Sequence, residues 1–578
     1  MNPITSRKWQ LRSGEPSPAQ VERFTKALGV LPLTARVLLL RGIGTAEDGQ
    51  AFLQARLSAL PDPDLLPDMA IACGRLEQAL VRGEKIAVHG DYDVDGITGC
   101  TLLVETLRNL GGLVEYHIPL RLKDGYGLSA DAIRQARDSG CGLIVSVDCG
   151  VSAHAEADLA SELGIDLIIT DHHQPPEELP TCLALINPHL SGNRFPWQEL
   201  SGVGVAFFLL AGLRRRLREN GYFTHHPEPD LRQGLDLVAL GTIADIVPLG
   251  GVNRILVRAG LQRLEQGSRP GIAALKKVAE VKKVSCGTVG FRLAPRLNAA
   301  GRLEDAALGV KLLLGDDPQE AAELAELLDE FNRERQKIEQ QTLEQAIAAL
   351  EEQPEEMRHT IVLADERWHP GVIGIVASRL VERYHRPTVM IALGAGSGKG
   401  SARSIKNFHL YRALQQCAEN LVGFGGHAMA AGLSIEAEKL TAFSDCFEKT
   451  ATALLSAEDL LPSIAHDGET LLGSISLQQV QEFESLSPFG AGNPQPAFVS
   501  CNCRVFSPRI LAEKHLKFDI EQQGTRQSCI AFGMAEHYDE LQERADLLYR
   551  PTINSWKGRD SVQLQVVDMR SAGNEDLS

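Results

Sequence analysis

Acidic side chains and histidines recur in the first half of the chain at points where short apolar segments end. They follow KIAVHG, LIVSV and DLIIT or lie within LGTIADIVPL, and they are Asp91, Asp93, Asp95, Asp148, Asp171, His172, His173 and Asp245. If these apolar segments are strands of one open parallel sheet, their carboxyl ends meet at the edge where such sheets bind ligands. We therefore expect side chains that are far apart in sequence to converge on one site.

This mixture of carboxylates and imidazoles indicates metal-ion chemistry. Hard carboxylates with a minority of histidines suit Mn²⁺ or Mg²⁺ better than zinc. Two ions that share a bridging carboxylate can lower the pKa of a bound water and stabilise the charge that builds up on an attacked phosphorus. Each acid by itself is better explained as a helix N-cap. Four acid-bearing motifs at one edge would repel one another without metal, so together they favour a two-ion hydrolytic site.

The elements that must position these side chains begin at Lys85. From there short apolar strands alternate with amphipathic helices, as in KIAVHGD before ITGCTLLVETLRNLG and LIVSVDCG before SAHAEADLASELG. This alternation predicts right-handed crossovers and a parallel, doubly wound sheet. Two helical blocks, 202–219 and 231–246, are expected next, and a basic, turn-rich stretch with Gly and Pro then continues to about residue 302.

The remainder of the chain predicts three further parts. Residues 318–352 have helical periodicity, which predicts a long helix that bridges two domains and ends at Pro354. A second α/β unit is expected over 357–455, beginning with the strand TIVLAD. After Pro462, alternating segments such as AFVSCNCRVF and SVQLQVVDM predict a small β-barrel.

The charge of the chain gives two opposing indications about whether the protein binds nucleic acid. The net charge of −17 by itself argues against a polyanionic partner. Two stretches are nevertheless basic, since 276–302 holds seven basic residues against Glu280 and 367–409 holds seven against Glu382. These stretches fit either a local channel for a polyanion or two solvated faces, and charge alone leaves both interpretations open.

Several classes of protein are disfavoured. The longest apolar run, 205–213, is far shorter than the roughly 20 residues of a membrane-spanning helix, so we expect no membrane contact. Eleven cysteines without paired spacing and a polar N-terminus predict a reduced, cytoplasmic protein. The segment GAGSGKGS is not a P-loop. In a P-loop a Ser or Thr follows the lysine, but Gly400 follows Lys399 here, and the position that requires the first glycine of the motif is occupied by Leu393. ATP dependence is therefore not predicted.

The order of the motifs resembles a known superfamily. DYDVDG, VDCG, DHH and ADIVPL resemble the four motifs of the DHH phosphoesterases. Downstream, RLNAAGR, WHPGVIGIVASRL, GSARS and GGHAMAAG resemble the connector and the DHHA1 partner domain of the RecJ family of single-stranded-DNA-specific exonucleases. SPFGAGNPQPAF, at the start of the predicted barrel, fits that family's OB-fold.

This resemblance implies a fold and a division of the chain. The fold is α/β, with a doubly wound parallel DHH domain joined by a long helix to a second α/β domain, DHHA1, and with a C-terminal β-barrel of the OB type. The implied parts are an N-terminal helical extension at 1–70, the DHH catalytic domain at 71–315, the connecting helix at 316–355, the DHHA1 domain at 356–460 and the OB-fold at 461–578.

The resemblance also implies roles at the metal site. One metal ion would be held by Asp93 and Asp148, and the second by Asp95, Asp148, His172 and Asp245, which makes Asp148 the bridge. Asp91 would support the nucleophilic water, and His173 would contact the scissile phosphate. The expected cofactors are therefore two ions of Mn²⁺ or Mg²⁺.

Other residues are expected to bind the substrate. Arg296, Asn298 and Arg302 lie in the turn-rich stretch, where a phosphate backbone could approach closely. Ser401 and Arg403 lie in a Gly-rich loop whose amides could bind a terminal phosphate, and the resemblance makes this pocket the reader of a 5′ end. The resemblance also implies that His427 reaches across the cleft. For the glycines, ordinary tight turns remain the alternative.

Aromatic residues and a histidine pair give weaker indications. Tyr126 could stack on a base or pack on the sheet, and His225 and His226 are expected in a solvated loop. The barrel residues Phe498, Phe506, Phe518 and Phe532 could stack bases, although most are expected in the core.

These observations favour a monomeric, processive 5′→3′ exonuclease that releases 5′-mononucleotides from single-stranded DNA. The resemblance implies a role in DNA repair and recombination, with a single-strand-binding protein and a DNA helicase as partners. One alternative is a DHH–DHHA1 phosphodiesterase for oligoribonucleotides or cyclic dinucleotides, but such enzymes lack a barrel. A non-catalytic DNA-binding scaffold is the other alternative. That class predicts eroded ligands, whereas the expected ligands are intact here.

Overall fold

The structure, a computed structural model, describes residues 7–121, 125–352, 358–394, 396–538, 541 and 543–572. It begins with a short strand and four helices: β1 (Lys8–Leu11), α1 (Pro18–Leu28), α2 (Pro32–Leu40), α3 (Ala46–Gln54) and α4 (Met69–Arg82). Ser17 and Gln20 form a reciprocal capping box at the start of α1, and Gly29 ends that helix in the left-handed conformation. The helices expected in this region are present.

The N-terminal segment is attached to the end of the chain. Strand β1 pairs in parallel with a strand at Ser463–His466. Phe24 and Leu38 share one apolar core with Phe483 and Phe498. The sequence does not predict this attachment, because a four-residue strand is too short to show a period.

A five-stranded parallel sheet with strand order β3-β2-β4-β5-β6 follows. Its elements are β2 (Lys85–Gly90), α5 (Val94–Asn109), β3 (Leu113–His117), α6 (Ala130–Asp138), β4 (Cys141–Val147), α7 (His154–Glu162), β5 (Asp166–Thr170) and β6 (Ala184–Ile186). Successive strand residues face opposite cores: Val145 packs with Leu103 of α5, and Ile144 packs with Ile133 of α6. The predicted doubly wound sheet is confirmed.

Helices fill the region up to residue 314. They are α8 (Gly202–Glu219), α9 (Leu235–Ala244), α10 (Gly251–Gln266), α11 (Pro270–Val278), α12 (Cys286–Thr288), a π-helix (Val289–Leu293), α13 (Ala294–Leu303) and α14 (Ala307–Leu314). The prediction of a turn-rich stretch is wrong, because the stretch is largely helical and several of its Gly and Pro residues lie at helix ends. Gly267 ends α10 with a φ of 61°, and Pro270 and Pro295 occupy the first turns of α11 and α13.

The long connecting helix is present as α15 (Pro318–Glu351), and Pro354 lies outside the described residues. A mixed sheet of order β10-β11-β9-β8-β7 follows, in which only β7 and β8 pair in parallel. Its elements are β7 (Ile361–Asp365), α16 (Ile373–Tyr384), β8 (Thr388–Gly394), β9 (Ser397–Arg403), α17 (Leu410–Gln416), β10 (Gly423–Gly426), β11 (Ala430–Glu436) and α18 (Leu440–Leu454).

Strand β9 corrects a second prediction. The segment with Ser401 and Arg403, expected as a Gly-rich loop, is an inner strand of this sheet. A Cβ atom at Gly398 would lie 2.6 Å from Ile391, and one at Gly400 would lie 2.5 Å from Leu433. These glycines therefore make room for the side chains of the neighbouring strands and do not form a turn.

The last part of the chain is a closed barrel of order β13-β14-β15-β17-β16. The elements of this part of the chain are β12 (Ser463–His466), which pairs with β1, then α19 (Leu477–Phe483), β13 (Phe498–Leu511), β14 (His515–Gln522), β15 (Thr525–Ala531), β16 (Arg544–Trp556) and β17 (Arg559–Ser571). Phe498 and Phe518 are buried in its core, whereas Phe506 lies beside two arginines and Phe532 is exposed. The predicted barrel is confirmed.

Short 3₁₀ turns connect these elements at Leu57–Ala59, Pro63–Leu65, Tyr222–Thr224, Leu231–Gly234, Ala418–Asn420, Ala437–Lys439, Leu472–Ser474, Glu484–Leu486 and Ala535–His537. Within the described ranges, no helix has the length and apolar character that crossing a membrane requires.

Candidate metal centre

Three aspartates lie where β2 passes into α5. Asp93 caps the helix, since its side chain accepts hydrogen bonds from the amides of Asp95 (2.9 Å) and Gly96 (3.2 Å). The carboxylate of Asp95 is held in turn by the first amides of α8, at 2.6 Å from the nitrogen of Gly202 and 2.9 Å from that of Val203. Two helix N-termini therefore fix this group of acids.

Asp148 follows β4 in a left-handed conformation, with φ of 65°. A non-glycine residue in this region costs about 1–3 kcal/mol and is concentrated at functional sites. A Cβ atom at Gly202 would lie 2.6 Å from the Cβ of Asp148, so only glycine allows α8 to begin this close to the carboxylate.

His172, which follows β5, connects the acids of three elements. Its Nε2 lies 3.1 Å from Asp148 Oδ1, 3.5 Å from Asp245 Oδ2 and 3.9 Å from Asp95 Oδ2. Asp245 reaches the cluster from the C-terminal end of α9. The sheet edge thus brings together residues from four distant motifs, as the sequence predicts.

The ligand atoms of this cluster form overlapping groups, each within 4.8 Å. These groups are Asp91, Asp93 and Asp148; Asp95, His172 and Asp245; and Asp148, His172 and His173. Three of the buried atoms, Asp91 Oδ1, Asp148 Oδ1 and His172 Nε2, make no hydrogen bond among the residues that the structure describes, although the last two lie 3.1 Å apart. Buried polar atoms without partners are costly, and bound cations would satisfy them.

The electrostatics fit divalent cations as well. Burial, with repulsion between neighbouring carboxylates, raises the pKa of Asp91, Asp148 and Asp245 well above its usual value and that of Asp95 to about 7. Burial lowers the pKa of His172 to about 3, which leaves a neutral imidazole. Without metal the cluster retains protons that a cation would displace.

His173 lies beside the metal ligands and also lines the cleft. Its Nδ1 lies 2.8 Å from Asp171 Oδ1 and 3.2 Å from the hydroxyl of Tyr126. Burial alone would lower the pKa of His173, but the hydrogen bond to Asp171 and its charge raise it. The ring of His427, from the turn between β10 and β11, stacks against it at 6.1 Å between centroids.

A cavity of about 810 Å³ extends from His173 to the second sheet and is lined by arginines. Arg121, Arg302 and Arg403 line it together with Ser401. Arg403 donates to the hydroxyl of Ser401 (3.2 Å), whereas Arg121 stacks over a tyrosine ring. Burial, with the charge of neighbouring arginines, lowers the pKa of Arg302 to about 9 and also lowers that of Arg403. Cations concentrated in this way fit an anionic ligand.

Two of the residues expected to bind substrate also make contacts within the protein. Arg296 forms an ion pair with Asp329 of α15, with 2.8 Å between Nη2 and Oδ1. Asn298 accepts a hydrogen bond from the amide of Val94 at 3.1 Å, which attaches α13 to the start of α5. Arg302, one turn further on, lines the cavity and donates to the carbonyl of Gly371 at 3.0 Å.

Sequence reasoning assigned no role to three residues of this site. Asp171 appears as one more acid of its motif, but it accepts hydrogen bonds from the amides of Val151 (2.9 Å) and His172 (2.7 Å) and orients His173. Gly202 and Arg121 were missed because neither belongs to an acidic motif. The hydroxyl of Tyr126 donates to the carbonyl of Asp148 at 2.8 Å, which favours the packing role for this tyrosine.

Comparison with known proteins decides the family. Three family models match: the DHH family N-terminal domain at 85–242, the DHHA1 domain at 358–453 and the RecJ OB domain at 466–568. The single-stranded-DNA-specific exonuclease RecJ of Escherichia coli is 40% identical over 92% of this chain and 95% of its own length. The chain belongs to the RecJ family of single-stranded-DNA-specific exonucleases.

Other RecJ proteins agree in sequence and structure. RecJ of Dickeya dadantii is 41% identical over 92% of this chain and 95% of its own length, and that of Bacillus subtilis is 38% identical over 97% and 70%. The crystal structure of RecJ from Thermus thermophilus in complex with Mn²⁺ matches with a TM-score of 0.84 at 34% identity, covering 98% of this chain and 79% of that one. The same protein is also known in complex with Mg²⁺.

Proposed function

We propose that this chain removes 5′-mononucleotides one after another from the 5′ end of single-stranded DNA, by attack of water in line with the leaving oxygen. The observation that carries the proposal is the continuity between the acid–histidine cluster and the arginine-lined cavity, which meet at His173. The cluster supplies the groups for phosphodiester hydrolysis, and the cavity supplies a cationic site for one terminus of the strand.

The cluster is proposed to hold two ions of Mn²⁺ or Mg²⁺. Asp93 and Asp148 would hold one, and Asp95, Asp148, His172 and Asp245 would hold the other. The presence of Asp148 in two of the overlapping ligand groups supports its role as the bridge. Bound there, the ions would supply charge for the attacked phosphate and lower the pKa of a water molecule.

The protein's own groups position the reaction. Asp91, whose Oδ1 has no partner within the described ranges, is placed to accept a hydrogen bond from the attacking water. His173 uses Nδ1 for Asp171 and Tyr126, which leaves Nε2 for the scissile phosphate. His427 approaches the same position from the opposite wall.

The arginine-lined cavity is the basis for the proposed 5′→3′ direction of digestion. A terminal phosphate carries close to two negative charges near pH 7, whereas a phosphate within the strand carries one. Arg121, Arg302 and Arg403 together therefore favour a terminal phosphate. We assign this pocket, with Ser401, to the 5′ end, as the family resemblance implies. Arg296 and Asn298 remain proposed substrate contacts, and their bonds to Asp329 and Val94 also fix α13.

The wider setting is proposed from the family. The barrel would extend the grip on the strand, and the chain would act as a monomer in the cytoplasm during DNA repair and recombination, beside a single-strand-binding protein and a helicase. We propose the domain boundaries 1–70, 71–315, 316–355, 356–460 and 461–578. The sheet of β2–β6, the helix α15, the sheet of β7–β11 and the barrel lie within the last four of these ranges.

A single oligonucleotide tests the proposal. It carries a label at the 5′ end in one sample and at the 3′ end in another, and is incubated with Mn²⁺ or with chelator. We expect the 5′ label to leave at once as a mononucleotide while the 3′ label stays on a shortening strand, only with metal. An intact strand alongside cleaved dinucleotides would contradict the proposal and favour a small-substrate phosphodiesterase.

A further inference from the structure

Two large apolar side chains are exposed beside the metal cluster. Ile246 is 74% exposed and Phe291 is 86% exposed. Neither lines the cavity that contains Ser401 and Arg403. The proposed function therefore leaves both residues without a role.

Ile246 directly follows the ligand candidate Asp245 and has a left-handed backbone, with φ of 63°. This conformation is a clear outlier for a β-branched residue, and such strain is concentrated at functional sites. Because the side chain is exposed, packing of the core does not explain it. Its backbone directs an isoleucine into solvent immediately beside the reacting centre.

Phe291 lies in the π-helix Val289–Leu293, at the same end of α9. A Cβ atom built on Gly290 would lie 4.0 Å from the side chain of Ile243, two residues before Asp245. Short π-helical segments occur frequently at functional sites. Here the segment places Phe291 outside the core, while its neighbours Val289 and Leu293 are fully buried.

The chain that follows Ile246 leads toward the barrel, and the sequence around Phe291 is basic. Two residues beyond Ile246, Pro248 lies 3.0 Å from the position of a Cβ atom at Gly492, and the amide of Leu249 donates to the carbonyl of Ala491 at 2.8 Å. The chain from Asp245 thus leads directly to the C-terminal part of the protein. On the other side, Phe291 is preceded by Lys282 and Lys283 and followed by Arg292.

We propose that Ile246 and Phe291 contact the bases of the single strand on the 3′ side of the scissile phosphate. The inference rests on the proposed function and deepens it. The terminal nucleotide lies on the cavity side of the cluster, so the remainder of the strand must leave past Asp245 toward the barrel. An exposed aromatic ring offers a stacking surface to any base, and nearby cations can accompany the phosphates. Phe291 and Ile246 are therefore positioning residues that hold the strand in register between cleavage events.

The test compares two substrates that differ in length. A 5′-phosphorylated dinucleotide ends close to the cluster, whereas a 30-nucleotide strand passes both residues. For F291L and I246G we expect KM on the long strand to rise about tenfold, as when one base loses a stacking partner, with little change on the dinucleotide. Glycine tolerates the left-handed backbone at 246, so I246G should fold. F291W should keep the wild-type KM, and V81A on α4, also exposed, is the matched control.

A second measurement does not require turnover. In chelator, a fluorescent adenine analogue placed at successive positions of the strand should report stacking at one or two positions 3′ of the terminal nucleotide, and F291L should abolish that signal. Equal losses on both substrates, with F291W as impaired as F291L, would assign Phe291 a structural role and overturn the inference. An unchanged KM and fluorescence would overturn it too. A wild-type protein that binds strands in this way but does not cleave them would contradict the proposed function alone.

Discussion

The imidazole rings of His173 and His427 lie nearly parallel across the cleft, with 6.1 Å between their centroids and 14° between their planes. They come from different sheets, since His173 follows β5 and His427 lies between β10 and β11. A phosphate placed between the two walls would be contacted from both sides. The distance between these rings is therefore a direct measure of closure of the cleft.

His427 should contribute to the reaction and not to folding, because its side chain is exposed. We expect H427A to lower kcat/KM about 10- to 100-fold, which corresponds to the loss of one hydrogen bond to a charged group. Steady-state kinetics and thermal denaturation would be measured together. The neighbouring exposed residue gives the control M429A, which should retain activity. A wild-type rate for H427A would remove this residue from the site.

Asp148 should be essential because it belongs to two ligand groups. We expect D148A to lower turnover by at least about a thousandfold and to abolish saturable binding of Mn²⁺ at one site or both. Calorimetric titration with Mn²⁺ measures the binding. D158N, at an exposed position on α7, is the control for loss of a carboxylate. Activity of D148A within a few-fold of wild type would exclude the proposed bridge.

Arg403 should select the phosphorylated end. We expect R403A to reduce the preference for a 5′-phosphate over a 5′-hydroxyl about tenfold or more, with a smaller effect on a short hydroxyl-ended strand. Competition between the two ends in one reaction measures the preference directly. R383A, at the exposed end of α16, should leave it unchanged. If R403A has the same preference as wild type, the terminal phosphate binds elsewhere.

The stability of the metal-free protein should fall as the pH rises from about 4 to about 7. The pKa of folded Asp95 is about 7, above its usual value of 3.8, so the folded state retains a proton that the unfolded state has already lost. Asp91, Asp148 and Asp245 shift in the same direction and extend this effect.

Mn²⁺ should remove this dependence, because it replaces the protons. Denaturant unfolding at pH 5 and pH 7.5, with chelator or with Mn²⁺, measures the difference. Calorimetry in two buffers of different ionisation enthalpy should also detect protons released when Mn²⁺ binds near pH 6.5. Binding without proton release would contradict the raised pKa values.

Much of this architecture follows from the sequence. Alternating apolar strands and helices predict the parallel sheet, and acids after β2, β4 and β5 predict where the site lies. These predictions succeed because short segments of sequence are enough to recognise strands and the residues at their carboxyl ends, where open parallel sheets bind ligands. The prediction of turns in the stretch before residue 302 is wrong because the local signals are incomplete. Gly267 and Pro270 indicate breaks in the chain but do not indicate whether the segments between the breaks are helical.

Other features depend on contacts that no local pattern contains. Asp171 and Asp148 look equivalent in sequence, yet one is held by backbone amides and the other faces the cluster. In the sequence Gly400 looks like a loop glycine, and only the structure shows that Leu433 of the adjacent strand packs against it. The hydrogen bond from the amide of Val94 to Asn298 likewise depends on the packing of α13 on α5.

The pairing of Lys8 with Ser463 has a consequence for biogenesis. A ribosome releases α1–α3 before the parts that follow them, but the apolar residues Phe24 and Leu38 share a core with segments that emerge more than 400 residues later. During that interval the helices lack the barrel segments that complete their core, while the intervening α/β parts can fold as units. These helices are therefore among the last parts of the protein to mature, and chaperones that bind apolar segments should meet them at that stage.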